Sequence, residues 1–166
     1  MIEYPLQNAS YWIEHLGLQP HPEGGHYKEI FRSKLAVLRT HDELSRRAVT
    51  SISYLLEGAD FSGFHRLSSD EIWYFHKGSP LTIHVIDNHG FYHKLELSDS
   101  GFGNLSLFVE ANQWFAAEIP SKTGFTLVSC AVAPGFEFSE FEMAKARELT
   151  ALYPQHASLL NRLCRE

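Results

Sequence analysis

A histidine and a glutamate that could work as a proton-transferring pair stand between Gly58 and Gly78. His65 and Glu71 are separated by the turn-forming pair Ser68–Ser69. A histidine that converges with a carboxylate can act as a base or hold a ligand, because the carboxylate orients the ring and stabilises its charged form. The same two side chains on a solvated sheet face would have no chemical role. The spacing alone leaves both interpretations open.

Alternating apolar and polar residues predict the two strands that position this pair. Asp60–Leu67 and Asp70–Lys77 both alternate, and the short segment between them predicts a hairpin. Side chains on a strand point to opposite faces in turn. This geometry places four side chains on one face of the second strand: Glu71, Trp73, Phe75 and Lys77.

The remaining segments indicate a mainly β domain. Strands are predicted at Tyr27–Arg32, Val49–Leu56, Leu81–Asp87, Phe91–Leu97, Leu105–Val109, Gln113–Ile119 and Phe125–Ala133. Close spacing of short strands favours a sandwich or barrel over a parallel α/β sheet. A short helix with Trp12 and Leu16 on its apolar side precedes the strands. A capping box of Ser139 and Glu142 predicts a helix to about Leu152, and Pro154 opens a second one.

Two irregular segments interrupt the strands. The loop Pro20–Tyr27 is rich in proline and glycine and contains His21, Glu23 and His26. Such loops are favoured places for function, although a rigid turn with exposed histidines has the same composition. The segment Ser33–Arg47 is polar and aperiodic, and we expect it to form a surface connection.

Composition narrows the classes of partner. The chain has 166 residues, a net charge of -6 and a pI near 5.9, which is long enough for one good core. An acidic surface disfavours nucleic acid and anionic membranes as partners. Met1–Pro5 lacks the features of a signal peptide, and no apolar stretch is long enough to span a bilayer, so we expect a cytoplasmic protein. Cys130 and Cys164 form no disulfide or zinc motif.

The central segment resembles the first motif of the cupin superfamily. Four residues carry that likeness: Gly58, His65, Glu71 and Gly78. Metal-binding cupins have a second histidine where this chain has Leu67, and a fourth ligand histidine where it has Phe115. Three further stretches are similar to a cupin family of unknown function: IEHLGLQPHPEGGHYKE, FHRLSSDEIWYFHKGSPLTIHVID, and APGFEFSEFE with ALYPQH.

The resemblance implies one cupin domain over residues 1–166. Its fold would be a double-stranded β-helix, or jelly-roll barrel, at residues 20–138. A short N-terminal helix would occupy residues 1–19, and two C-terminal helices would occupy residues 139–166. Cupins usually associate, so the resemblance also implies a homodimer.

The first functional hypothesis is a metal-independent enzyme similar to the deoxysugar-nucleotide epimerases, which share the cupin barrel. Those enzymes use a histidine held by a carboxylate as the base and a tyrosine as the acid. The resemblance implies these counterparts: His65 as base, Glu71 or Asp70 as its partner, and Tyr54 or Tyr27 as acid.

The second hypothesis is a metal-dependent enzyme. No cofactor is predicted from the motif positions, because Leu67 and Phe115 cannot ligate a metal. A divalent metal such as non-haem iron would need His84 or His26 to join His65 and Glu71.

The third hypothesis is a non-catalytic module that binds a small polar molecule, such as a sugar, a sugar nucleotide or a planar base. Aromatic and hydrogen-bonding side chains would hold the ligand under any of the three hypotheses. The predicted ligand-binding residues are His26, Tyr27, Trp73, Phe75, Lys77, Trp114 and Phe115.

Overall fold

The computed structural model describes residues 7–40 and 42–165. Met1–Pro5, on which the absence of a signal peptide was argued, lies outside the described residues. The α-helices of the described part are α1 (Ala9–Leu16), α2 (Ala146–Leu152) and α3 (Ala157–Leu163). None of them combines the length and apolar character that a membrane crossing requires.

Two antiparallel sheets form the body of the molecule. The strands in chain order are β1 (Gln19–Pro20), β2 (His26–Arg32), β3 (Ala36–Arg39), β4 (Leu44–Arg47), β5 (Thr50–Glu57), β6 (Phe61–Leu67), β7 (Asp70–Gly78), β8 (Leu81–Ile86), β9 (Tyr92–Leu97), β10 (Ser106–Val109), β11 (Trp114–Glu118), β12 (Phe125–Ala133) and β13 (Phe141–Met143). The first sheet has the order β1-β2-β5-β12-β7-β10, and the second has the order β13-β6-β11-β8-β9.

The inner faces of the two sheets pack on each other and form the main core. Tyr54, Trp73 and Cys130 of the first sheet belong to one apolar cluster with Ile83 and Phe115 of the second. This packing follows from alternation, since every second residue of each strand points inward. The predicted mainly β, jelly-roll architecture is confirmed.

The C-terminal helices cover the outer face of the second sheet. Phe64, Ile86 and Trp114 on that face pack against Leu149 of α2 and Leu160 of α3. All six residues of β8 are buried as a result, because one face meets the barrel interior and the other meets the helices. The helix α1 packs against the other sheet, beside Leu55 and Leu127.

The predicted strands are confirmed, with ends that shift by no more than one residue. The predicted hairpin of the central segment is wrong, because β6 and β7 lie in different sheets. The turn at Ser68–Ser69 therefore crosses from one sheet to the other. Since both strands keep their inward faces, His65 and Glu71 enter the barrel interior from opposing sheets.

Two other elements differ from the predictions. The predicted capping box does not form: Ser139 lies in the middle of a single 3-10 turn, Phe138–Glu140, after which β13 pairs with β6 and the helix begins only at Ala146. Sheet pairing with an exposed edge outweighs the local helical signal here. The polar segment Ser33–Arg47 contains the hairpin β3–β4 rather than an irregular connection.

Candidate functional site

A cavity of about 130 Å³ lies inside the barrel, between the loop before β2 and the inward faces of β6 and β7. Its polar wall contains six ionisable side chains: His21, Glu23, Glu29, Arg32, His65 and Glu71. Phe136, Phe138 and Phe141 form an aromatic wall in the segment that follows β12. Phe138 is 53% exposed, and Glu29 and Arg32 are exposed, so these residues mark the solvent side of the cavity.

The deepest ionisable pair is His65 with Glu23. His65 is 2% exposed, and its Nδ1 lies 2.7 Å from the carbonyl oxygen of Gly63. A carbonyl only accepts, so Nδ1 carries a proton and Nε2 faces Glu23 Oε2 at 3.2 Å. Ser62 Oγ donates to the other carboxyl oxygen at 3.0 Å. The His65–Glu23 contact therefore requires one proton shared between Nε2 and Oε2.

The glycine-rich loop before β2 fixes the position of Glu23. Gly24 and Gly25 have φ values of 112° and 69°, which side chains with a Cβ rarely adopt. The Gly25 N–H donates to Asp60 Oδ2 at 2.8 Å, and the Tyr54 hydroxyl donates to the Gly24 carbonyl at 2.8 Å. The Gly63 N–H donates to the Glu23 carbonyl at 2.8 Å. The loop is thus held to β5 and to the strand that carries His65.

We expect Gly24→Ala to destabilise the protein by about 3 kcal/mol or more, because the positive φ is strained and the new Cβ overlaps the Phe61 carbonyl and the Arg165 guanidinium. Urea denaturation measures this change. Gly101→Ala is the matched control, since no atom lies within 4 Å of its new Cβ. Equal stability of the two variants would contradict the packing described for the loop.

Glu71 is a buried carboxyl group whose surroundings do not stabilise its charged form. Burial, followed by the negative charge of Glu23, raises its pKa to about 8. The Trp73 indole and the Cys130 thiol oppose this shift. Neither satisfies Oε2, which is buried without a hydrogen-bond partner among the described residues. Glu71 is therefore a neutral carboxylic acid at pH 7 and can donate a proton or a hydrogen bond into the cavity.

His21 completes the polar wall beside Glu23. Burial lowers its pKa, with Glu23 opposing and His65 adding to the shift. The Glu23 backbone N–H donates to His21 Nδ1 at 3.2 Å, so Nε2 carries the proton of the neutral ring. The ring meets Tyr27 edge to face at 4.4 Å between centroids. His21 is thereby fixed as a neutral hydrogen-bond donor.

The structure changes the roles predicted for the acid–base residues. His65, Glu71 and Tyr27 line the cavity, as the sequence predicts. The carboxylate that contacts His65 is Glu23 rather than Glu71 or Asp70. The hydroxyl of Tyr54 is committed to the Gly24 carbonyl and lies outside the cavity lining, so Tyr54 supports the loop instead of donating to a ligand.

Most of the predicted ligand-binding residues lie elsewhere. Trp73 and Phe75 pack in the main core, and Phe115 packs beneath the His65 ring at 4.1 Å between centroids. Lys77 is exposed and donates to Gln7, while Trp114 lies under the C-terminal helices. The cavity lining does not include these residues, nor His26 of β2.

His84 points away from the cavity. Its Nε2 lies 3.0 Å from Glu118 Oε1, and its Nδ1 lies 2.8 Å from the Tyr92 hydroxyl. Alternation along β8 places Ile83 and Val85 in the barrel core, which puts His84 on the opposite face. His84 therefore cannot join His65 and Glu71 around a metal.

Sequence reasoning gave no specific role to five cavity residues, although it singled out the loop that holds the first two: His21, Glu23, Glu29, Arg32 and Cys130. The proline and glycine pattern around Glu23 was the available signal, since it indicates a backbone held in an unusual conformation. Phe136, Phe138 and Phe141 stand in the stretch APGFEFSEFE, which carries the resemblance to the family but suggested no role for them in the site.

The geometry agrees with the comparisons to known proteins. The family model described as "Cupin superfamily (DUF985)" matches residues 10–144. The chain belongs to the cupin superfamily. This cupin is similar to a hypothetical protein from Leishmania major, at 33% identity and a TM-score of 0.90, with 96% of this chain and 100% of that chain covered. A protein from Shewanella oneidensis is 36% identical, with a TM-score of 0.87 and coverage of 96% and 99%.

Oxalate decarboxylase from Bacillus subtilis is a more distant match for this cupin. It is 13% identical with a TM-score of 0.55, and the match covers 87% of this chain and 36% of that chain. This likeness extends to the fold alone. No match is found among the curated proteins.

The residues of this cupin do not fit the metal site common in its superfamily. Leu67 lines the cavity where a ligand histidine would stand, and Phe115 fills the second such position. Within residues 7–40 and 42–165, no group of three or more His, Cys, Asp or Glu is arranged to hold a metal ion. The chemistry is therefore derived from the side chains themselves.

Proposed function

We propose that this cupin is a metal-independent enzyme that moves a proton on a small polar molecule, as an isomerase or epimerase does. The shared-proton contact of 3.2 Å between Glu23 and His65 carries this proposal. General acid–base groups of this kind contribute about 10²–10⁴-fold to a rate. A proton acceptor and a neutral acid in one enclosed cavity are the two groups that such a reaction needs.

The hydrogen bonds assign a role to each group. Both ring nitrogens of His65 are engaged, so the free lone pair of Glu23 Oε2 accepts the proton from a carbon beside a carbonyl. His65 is a positioning residue that stabilises the charge on Glu23. Glu71 gives its proton to the carbonyl oxygen as that oxygen becomes negative, and it recovers the proton when the enol collapses. Protons and electrons balance without a cofactor.

Deuterium exchange tests the proposal without knowledge of the product. The protein is incubated in D₂O with small cyclic and open-chain carbonyl compounds, and loss of the C–H signal is followed by proton NMR. We expect exchange with the wild type and at least 100-fold slower exchange with Glu23→Gln. Equal exchange by both proteins would overturn the proposal. A compound that binds without exchanging would instead indicate the non-catalytic module.

A homodimer and a cytoplasmic location stay predictions from the resemblance and the sequence.

A further inference from the structure

The charges around the cavity disfavour an anionic ligand. Three glutamates line it, Glu23, Glu29 and the neutral Glu71, and no lysine does. Arg32 is the cationic side chain at the solvent side. A phosphate or carboxylate that entered would lie beside the carboxylates of Glu23 and Glu29 unless Arg32 were free to bind it.

Arg32 is not free to bind an anion. Its Nε and Nη2 donate to the two oxygens of Glu29 at 3.0 and 2.8 Å. Its Nη1 donates to Glu137 at 2.9 Å, and Nη2 also contacts the Phe136 carbonyl at 3.2 Å. Four of its five N–H groups are therefore engaged, and two carboxylates balance its positive charge. Those carboxylates would repel an anion that approached the cation.

The size of the cavity sets a second limit on the ligand. Its volume of about 130 Å³ is close to the roughly 150 Å³ of an engineered cavity that binds benzene. Pockets for drug-sized ligands are several times larger, at about 300–1,000 Å³. One six-membered ring fits this space, and the diphosphate and nucleoside of a nucleotide sugar would have to lie outside it, beside the Glu29 and Arg32 side chains.

The walls also indicate how a ring would be held. Phe138 and Phe141 offer apolar faces, and Glu71 Oε2 is a buried polar atom without a partner among the described residues. Leaving such an atom unpaired costs about 1–3 kcal/mol, which a hydrogen bond from the ligand would offset. The cavity is therefore complementary to a ring with an apolar face and a polar edge.

We infer that the ligand is an uncharged molecule of one six-membered ring with a polar edge, and that phosphorylated sugars and nucleotide sugars are excluded. This inference rests on the proposed function for the site but concerns only binding. It separates this cupin from enzymes that act on nucleotide-linked sugars, even though the barrel is shared.

Ligand-observed NMR and calorimetry test the inference with matched probes. The neutral probes are glucose, galactose, mannose, δ-valerolactam and dihydrouracil, and the charged probes are glucose 6-phosphate and a nucleoside diphosphate glucose. We expect at least one neutral ring to bind at least 10-fold more tightly than both charged probes. Charged probes that bind as tightly would overturn the inference, as would the absence of binding by every neutral probe at 10 mM.

A variant without two of the carboxylates tests whether the pairing of Arg32 is the reason that anions bind weakly. In the Glu29→Gln/Glu137→Gln double variant the Arg32 guanidinium loses both carboxylate partners, and we expect at least 10-fold tighter binding of glucose 6-phosphate. Glu148→Gln is the control, because Glu148 is an exposed helix residue paired with Lys145. An unchanged affinity in the double variant would contradict the role given to Arg32. Neutral binding without deuterium exchange would count against the proposed function alone.

Discussion

Glu71→Gln is expected to gain about 4 kcal/mol of stability relative to the wild type between pH 5 and pH 9. The carboxyl group has a pKa of about 8 in the folded protein, against an ordinary value of 4.5. Between these values the unfolded chain releases the proton and the folded chain retains it. Each unit of difference is worth about 1.4 kcal/mol, so the wild type loses stability as the pH rises through this window.

Urea denaturation of both proteins at several pH values measures this effect. Glutamine cannot ionise, so the variant lacks the slope that Glu71 gives to the wild type. Glu148→Gln is the control, because Glu148 is an exposed helix residue that is paired with Lys145. Its variant should run parallel to the wild type. If the free energy of unfolding of Glu71→Gln also ran parallel to that of the wild type across this pH range, Glu71 would not be a neutral acid in the folded protein, and the proposed mechanism would lose its proton donor.

The strong period of two was sufficient to predict the strands, their close spacing indicated a sandwich or barrel, and the resemblance to cupins implied the jelly roll. β7 alternates buried and exposed residues from Glu71 to Tyr74, as a half-buried strand should. β8 is buried on both faces, and its alternation still separated His84 from Ile83 and Val85. The predicted pairing of β6 with β7 failed, because a turn as short as Ser68–Ser69 serves equally for a hairpin and for a crossing between sheets.

Which residues meet in the site depends on long-range packing, and the spacing of residues along the sequence does not reveal that packing. His65 and Glu23 lie far apart in the chain, and they meet because Gly25 and Asp60 bind the loop to the start of β6. Glu71 was expected as the partner of His65 because both belong to one motif. The motif placed both in the cavity, but on opposing sheets, where Glu71 is neutral and unpaired instead of orienting the histidine.

A histidine–glutamate pair outside the cavity, His84 with Glu118, provides a contrast that separates stability from catalysis. Glu118 is 5% exposed and contacts His84 at 3.0 Å, together with Lys122 and Arg162 of α3. Burial, although opposed by Glu118, lowers the pKa of His84, so the ring is a neutral member of this network. The network joins β8 and β11 to the last helix, on the outer face of the sheet.

Glu118→Ala is therefore expected to lower the free energy of unfolding by about 2 kcal/mol, because it leaves Nε2 of the buried His84 without its partner and removes the carboxylate that the exposed Lys122 and Arg162 side chains bind. Its rate of deuterium exchange, measured well below the melting temperature, should match the wild type, since the cavity lies on the other face. Glu23→Gln should show the reverse: exchange at least 100-fold slower, with a stability change of only about 1 kcal/mol, because the amide retains the shape and the Ser62 hydrogen bond. If Glu118→Ala abolished exchange in a folded protein, the active pair would have to be placed at His84 instead of His65. If Glu23→Gln left exchange intact, the proposed function would be overturned.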